Sequence, residues 1–169
     1  MTDEATSIDP AVIERLLGRA MLGDAPLTRV ILAPFTGEPL YSLPLSGAPE
    51  VQRAVELART AQVDWAARSV RERCRIVLAF HDLVLKRRDT ALDIVQLETG
   101  KARRDALEEL LDVLVTARHY ARDARRLLRT TRHRGVFPLM VGVQELHHPR
   151  GLVGVLAPWN YPLTLAVSD

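Results

Sequence analysis

The sequence predicts an α/β fold that reads as the opening of a larger, here incomplete, α/β protein. Three observations carry this. A helix-period texture runs from Ser46 to about Arg129. β-Prone runs flank it, at Thr28–Pro44 and from Val141 onward. The last of these, Leu152–Leu156, feeds through Pro158 into a new helix at Pro162, and strands that feed helices belong to α/β architecture.

Taken in order, residues 1–9 are polar and read as a loose tail. A short helix is expected over 10–22, with Pro10 in its first turn and Ile13, Leu16, Leu17 and Met21 at helical spacing. Two β-prone runs then flank Pro34 and Gly37, which predicts a hairpin over 28–44. A helix opens after Ser46, with Glu50 in its first turn, where the dipole favours an acid. Its apolar face is Val51, Ala54, Val55, Ala58, Ala61 and Trp65.

Ser69 with Glu72 three residues on forms a capping box and starts the next helix, which carries Ile76, Val77, Phe80, Leu83 and Val84. A third helix spans about Thr90 to Glu98 and stops at Gly100, a natural left-handed terminator. The fourth runs from about Lys101 to Arg129 on a stripe of Leu107, Leu110, Leu111, Leu114, Ala117, Ala121, Ala124 and Leu128. Val141–His148 reads as a strand, Pro149-Arg-Gly151 as a turn and Leu152–Leu156 as a strand buried on both faces.

Composition narrows the function classes. A length of 169 residues supports a real core, and 47% hydrophobic with 26% charged residues excludes disorder over most of the chain. Net charge is only +2, but Lys86 and Lys101 are the sole lysines, so 21 of the 23 basic residues are arginine. The single cysteine, Cys74, excludes an internal disulfide and fits a reducing compartment. The start, Met-Thr-Asp-Glu-Ala-Thr, lacks a basic region followed by an apolar stretch, and no apolar run approaches the roughly 18 residues of a membrane span. A cytoplasmic protein without membrane or nucleic-acid partners is expected.

The chemistry concentrates at 151–162. An apolar strand with two glycines runs into Pro158, Trp159 and Asn160, and then a helix begins. Strand ends in α/β sheets are where ligands bind, because helix N-termini and loop donors converge there. The Asn160 amide is a neutral donor suited to an oxygen that gains negative charge during a reaction. The other reading is that Asn160 merely caps the helix at Pro162, with Trp159 in the core.

The run Gly151-Leu-Val-Gly-Val-Leu-Ala-Pro-Trp-Asn-Tyr-Pro162 resembles the signature of the aldehyde dehydrogenase superfamily. Further resemblances fall in the same order. They are Pro34–Glu38 at the early hairpin turn, Ala54–Ala58 with Trp65 and Arg71-Glu-Arg73 in the first paired helices, Leu97–Lys101, and Tyr120-Ala121. Within the family the chain is most similar to bacterial succinate-semialdehyde dehydrogenases.

The resemblance implies four segments. A tail and short helix occupy 1–27, and the hairpin plus the helical part of the cofactor-binding domain occupy 28–134. An oligomerisation-type strand segment follows at 135–150, and the opening of the NAD(P)-binding parallel sheet at 151–169. It implies oxidation of a small aldehyde to an acid with NAD or NADP, through attack by a cysteine thiolate, an oxyanion held by a backbone N–H and an asparagine amide, and hydrolysis of a thioester. By position the asparagine is Asn160, while Leu156, Ala157, Pro158, Trp159 and Asn160 lie along the cofactor. The family's nucleophilic cysteine and base glutamate fall beyond residue 169, so the chain by itself is expected to be inactive. A homo-oligomer or a complementary chain is the expected partner, and the alternative role is a non-catalytic assembly fragment.

Other candidates carry less. Cys74 lies among arginines that would lower a thiol pKa, but a small helix residue in the core is the plainer reading. Arg118, Arg122, Arg125, Arg129 and Arg132 follow helical spacing and read as a solvated face, since aromatic residues for stacking are missing. His147-His148 point to opposite faces of a strand, which argues against a shared metal. Glu108, Glu109 and Asp112 lie on the long helix, where i to i+4 pairs with Arg104 or its neighbours explain them without catalysis, and Lys101 reads as a helix-start or surface residue.

Overall fold

The structure is a computed structural model that describes residues 8–22, 27–137 and 140–168. Most of the expected tail, residues 1–7, therefore lies outside the described residues. The elements are α1 (Pro10–Leu17), β1 (Thr28–Leu32), β2 (Pro39–Pro44), α2 (Ala48–Ala67), α3 (Val70–Lys86), α4 (Arg88–Thr99), α5 (Arg103–Leu127), β3 (Thr131–Arg134), β4 (Gly142–Glu145) and α6 (Pro162–Ser168).

Local chemistry accounts for the boundaries. Asp9 Oδ1 accepts from Ala11 N–H at 2.9 Å and starts α1. That helix stops at Gly18 rather than running on to residue 22, so Met21 lies outside it. The Glu50 carboxylate accepts from Gly47 N–H at 2.7 Å at the head of α2. Ser69 and Glu72 form the reciprocal capping box of α3, at 2.9 and 3.3 Å between backbone N–H and side-chain oxygen. Gly100 adopts φ +74° and ends α4.

The core is built on α5. Ala106, Leu110, Val113, Leu114, Ala117 and Ala121 are buried there, and Leu92 and Val95 of α4 pack onto Ala106 and Leu110. The buried face is rotated from the one the leucines mark. Leu107, Leu111 and Leu128 are exposed, and Glu109 takes an interior position instead. α3 lies along α5, and Leu163 of α6 packs on the same cluster.

The hairpin β1–β2 is antiparallel, with Ile31 opposite Tyr41 and a register shift beside it. Tyr41 donates its hydroxyl to Glu98 and so ties the hairpin to the end of α4. Partial burial, and the Glu98 carboxylate it faces, push the Tyr41 phenol well above its usual range.

Two expectations are corrected. The arginine series does not continue along one helix, because α5 ends at Leu127 and Arg132 sits in β3, paired antiparallel with β4. On that ribbon the Thr131 hydroxyl donates to Glu145 at 2.8 Å, and His133 lies 3.2 Å from the same carboxylate. Those contacts, Thr131 foremost, hold the Glu145 carboxyl below its usual range. β4 also ends at Glu145, so His147 and His148 lie past the strand, and His147 Nε2 faces Glu145 Oε1 at 3.8 Å.

Second, Leu152–Leu156, expected as a strand, joins no ladder; its faces stand exposed, as the missing covering partners implied. A strand inside a parallel sheet exists only where neighbouring strands satisfy its N–H and C=O groups. The two sheets among the described residues are isolated antiparallel pairs.

Candidate active site

The segment expected to carry the chemistry leaves the exposed 152–157 run, turns at Pro158–Tyr161 and enters α6 at Pro162. Leu156 is 98% exposed and Trp159 88%, so Trp159 is not a core residue. Ala157 and Asn160 are also exposed, and Pro158 is half-buried.

A group from another helix supplies the cap of α6. Glu109 Oε1 accepts from Leu163 N–H at 2.7 Å and from Thr164 N–H at 3.2 Å. The Thr164 hydroxyl returns a bond to the Glu109 main-chain oxygen at 2.9 Å. The helix donors that a capping asparagine would take are therefore already paired. Of Asn160, only the main-chain carbonyl is engaged among the described residues.

Glu109 is 1% exposed, and its second carboxylate oxygen accepts from Lys101 Nζ at 2.5 Å. Lys101 also donates to the Asn160 carbonyl at 2.8 Å and lies 4.5 Å from the centre of the Tyr161 ring. Its side chain is 14% exposed. Glu109 is thus not a partner of a neighbouring helix arginine but a buried group, and Lys101 is largely buried beside it; both hold the 160–164 turn. Glu108 does pair with Arg104, at 3.4 Å, and Asp112 is exposed. The signal for Glu109 was its position, since 106, 109, 113 and 117 lie on one helical face.

Cys74 is half-buried on α3 and lines a small hollow with Trp65, Val77, Tyr120, Ala121 and Leu128. None of these residues belongs to the 156–164 segment.

Comparison with known proteins decides the family. The aldehyde dehydrogenase family model matches residues 24–169. The chain belongs to the aldehyde dehydrogenase family. It is 47% identical over 146 residues to a protein of Mycolicibacterium smegmatis named "Putative succinate-semialdehyde dehydrogenase (NADP(+))", covering 86% of this chain and 28% of that relative.

Among solved structures, NADP-dependent glyceraldehyde-3-phosphate dehydrogenase from Bacillus halodurans, complexed with NADP, matches at TM-score 0.77 and 28% identity. The match covers 86% of this chain and 31% of that one. An aldehyde dehydrogenase from Brucella melitensis matches in fold at TM-score 0.82 and 21% identity, over 99% of this chain and 34% of its own. The chain therefore spans about a third or less of the proteins it matches, and over that span it has the fold of their family.

Proposed function

We propose that the chain supplies the N-terminal third of an NAD(P)-dependent aldehyde dehydrogenase acting on succinate semialdehyde or a similar small aldehyde. The observation that carries this is the Asn160 amide, which is exposed and takes no partner among the described residues, on a turn whose helix is capped from elsewhere. The name of the Mycolicibacterium relative supports the substrate class and NADP.

In the complete enzyme, aldehyde, water and oxidised dinucleotide give carboxylic acid, reduced dinucleotide and a proton. The dinucleotide, when bound, supplies the hydride acceptor. The residues present fit one flank of such a group: an exposed backbone from Leu156 to Asn160, with the flat indole of Trp159 beside it. Asn160 donates its amide N–H to the carbonyl oxygen as the attacking thiolate turns it into an oxyanion, a donor most effective where charge develops. Cys74, on α3 in a different hollow, does not serve as that thiolate.

The test joins this chain to the remaining portion of the Mycolicibacterium relative, by co-expression or fusion. Activity with succinate semialdehyde is expected, and Asn160→Ala is expected to lower kcat by about 10²–10³-fold, the usual effect of removing an oxyanion donor. The 169-residue chain alone is expected to reduce no NAD(P). Turnover by the isolated chain, or full kcat in Asn160→Ala, contradicts the reading. A second reading, a non-catalytic assembly fragment, is favoured by the apolar exposure of 152–156. Persistent inactivity of the joined protein would support it.

A further inference from the structure

We propose that Lys101 and Glu109 are positioning residues for Asn160, an ion pair of a largely buried lysine and a buried glutamate that sets the path of the 160–164 turn and so aims the Asn160 amide. The inference rests on the reading of Asn160 as a donor. The pair reaches the turn at four points. Lys101 Nζ holds the Asn160 carbonyl at 2.8 Å and lies under the Tyr161 ring at 4.5 Å. Glu109 Oε1 holds the N–H groups of Leu163 and Thr164. With the carbonyl of Asn160 drawn to the ammonium and the next helix turn pinned to Glu109, the main chain on both sides of the amide is fixed, while the side chain remains outside.

The choice of lysine supports this. The chain uses arginine for 21 of its 23 basic residues, yet a lysine stands here. An ammonium is a compact charge with three donors, able to serve the Glu109 carboxylate, the Asn160 carbonyl and the Tyr161 face from one small volume. A guanidinium is longer and planar and presents its donors in a fixed fork. The pair is also placed from a stiff base. Gly100 takes the left-handed turn just before Lys101, where an added Cβ would lie 3.0 Å from Pro34 Cβ. Glu109 stands in the middle of the buried face of α5.

Two arms test the proposal. The first uses the 169-residue chain and hydrogen exchange of the Leu163 and Thr164 amides. Lys101→Met and Glu109→Gln are each expected to speed that exchange about tenfold or more, as loss of a charge-assisted contact implies, while the α3 and α5 amides keep their rates. Rates within twofold of wild type would overturn the proposal.

The second arm uses the chain joined to the remainder of the Mycolicibacterium relative. Lys101→Met and Lys101→Arg are each expected to lower kcat about ten- to a hundredfold, with KM within twofold. The double variant Lys101→Met/Glu109→Leu separates positioning from mere stability, because a buried ion pair can be replaced by apolar residues of similar volume without loss of fold. It leaves the Leu163 and Thr164 N–H groups without the Glu109 cap, so it is expected to melt somewhat below wild type in one cooperative transition and to keep the low kcat; wild-type kcat in it would overturn the proposal. Asn160→Ala distinguishes the two readings. If it leaves kcat unchanged, the donor role fails, and the exchange arm still judges the clamp on the turn.

Discussion

The surface of this chain is far larger than its mass requires, and Leu156→Glu tests what that surface does. The chain exposes 13352 Å². A compact monomer of 18.9 kDa exposes about 8300 Å² by the scaling of area with mass. The excess of about 5000 Å² exceeds by several-fold the roughly 800 Å² that each partner gives to a standard interface. Part of it is the apolar run Leu152–Leu156, which joins no ladder and ends on a leucine that is 98% exposed.

Such a run associates with other copies in the absence of a covering partner. Burying one leucine contributes about 1.5–3 kcal/mol. At about 1.4 kcal/mol per tenfold, Leu156→Glu is expected to raise the self-association midpoint by about 10- to 150-fold. Sedimentation velocity over a dilution series, with an apolar dye as a parallel readout, measures this. A wild-type chain that stays a monodisperse monomer with a cooperative melt refutes the reasoning. So does a midpoint unmoved by the substitution.

Three further outcomes are expected. Leu110→Ala, at a position 2% exposed against Leu92, Val95 and Ala106, should cost about 2–5 kcal/mol and lower the urea midpoint accordingly. Gly100→Ala should destabilise more than Gly37→Ala. Both sites have φ +74°, at a strain cost of about 1–2 kcal/mol for a side chain, but only at Gly100 does the new Cβ meet a neighbour, at 3.0 Å. Equal melting temperatures for the two variants would contradict this.

The third outcome concerns acid. Hydrogen bonds from Ser69 hold the Glu72 carboxyl below its ordinary 4.5. A depressed carboxylate stabilises the fold above its unfolded pKa, and that stabilisation fades as pH falls through the folded value. Ser69→Ala should therefore lower the melting temperature at neutral pH and flatten its decline below pH 4.5, as followed by circular dichroism across pH.

Much of the fold was legible because it depends on neighbours in sequence. The Ser69–Glu72 box, the stop at Gly100 and the hairpin about Pro34 and Gly37 each close within a few residues, and each stands where its residues placed it. What went unread depends on residues distant along the chain. β3 hid among arginines at helical spacing, because only pairing with β4 makes it a strand. The buried face of α5 is turned away from Leu107 and Leu111, since the packing of α4 and α6 decides which side of a broadly apolar helix faces inward.

The sequence by itself determined the family, through the run Gly151–Pro162 and its upstream companions, and the proposed chemistry is placed on that same run. Those motifs are local, and local order survives in the string of letters. Only the tertiary structure decided what Asn160, Lys101 and Glu109 do with respect to one another. Glu109 is separated by 54 residues from the amide of Leu163 that it caps, and Lys101 by 59 from the carbonyl of Asn160 that it holds. A glutamate explained by i to i+4 pairs and a lysine read as a helix-start or surface residue show no common role until α6 is seen docked across them. Burying a charge is costly without a partner, so Glu109 is interior and Lys101 largely buried because each has the other and because the turn supplies the remaining donors and acceptor.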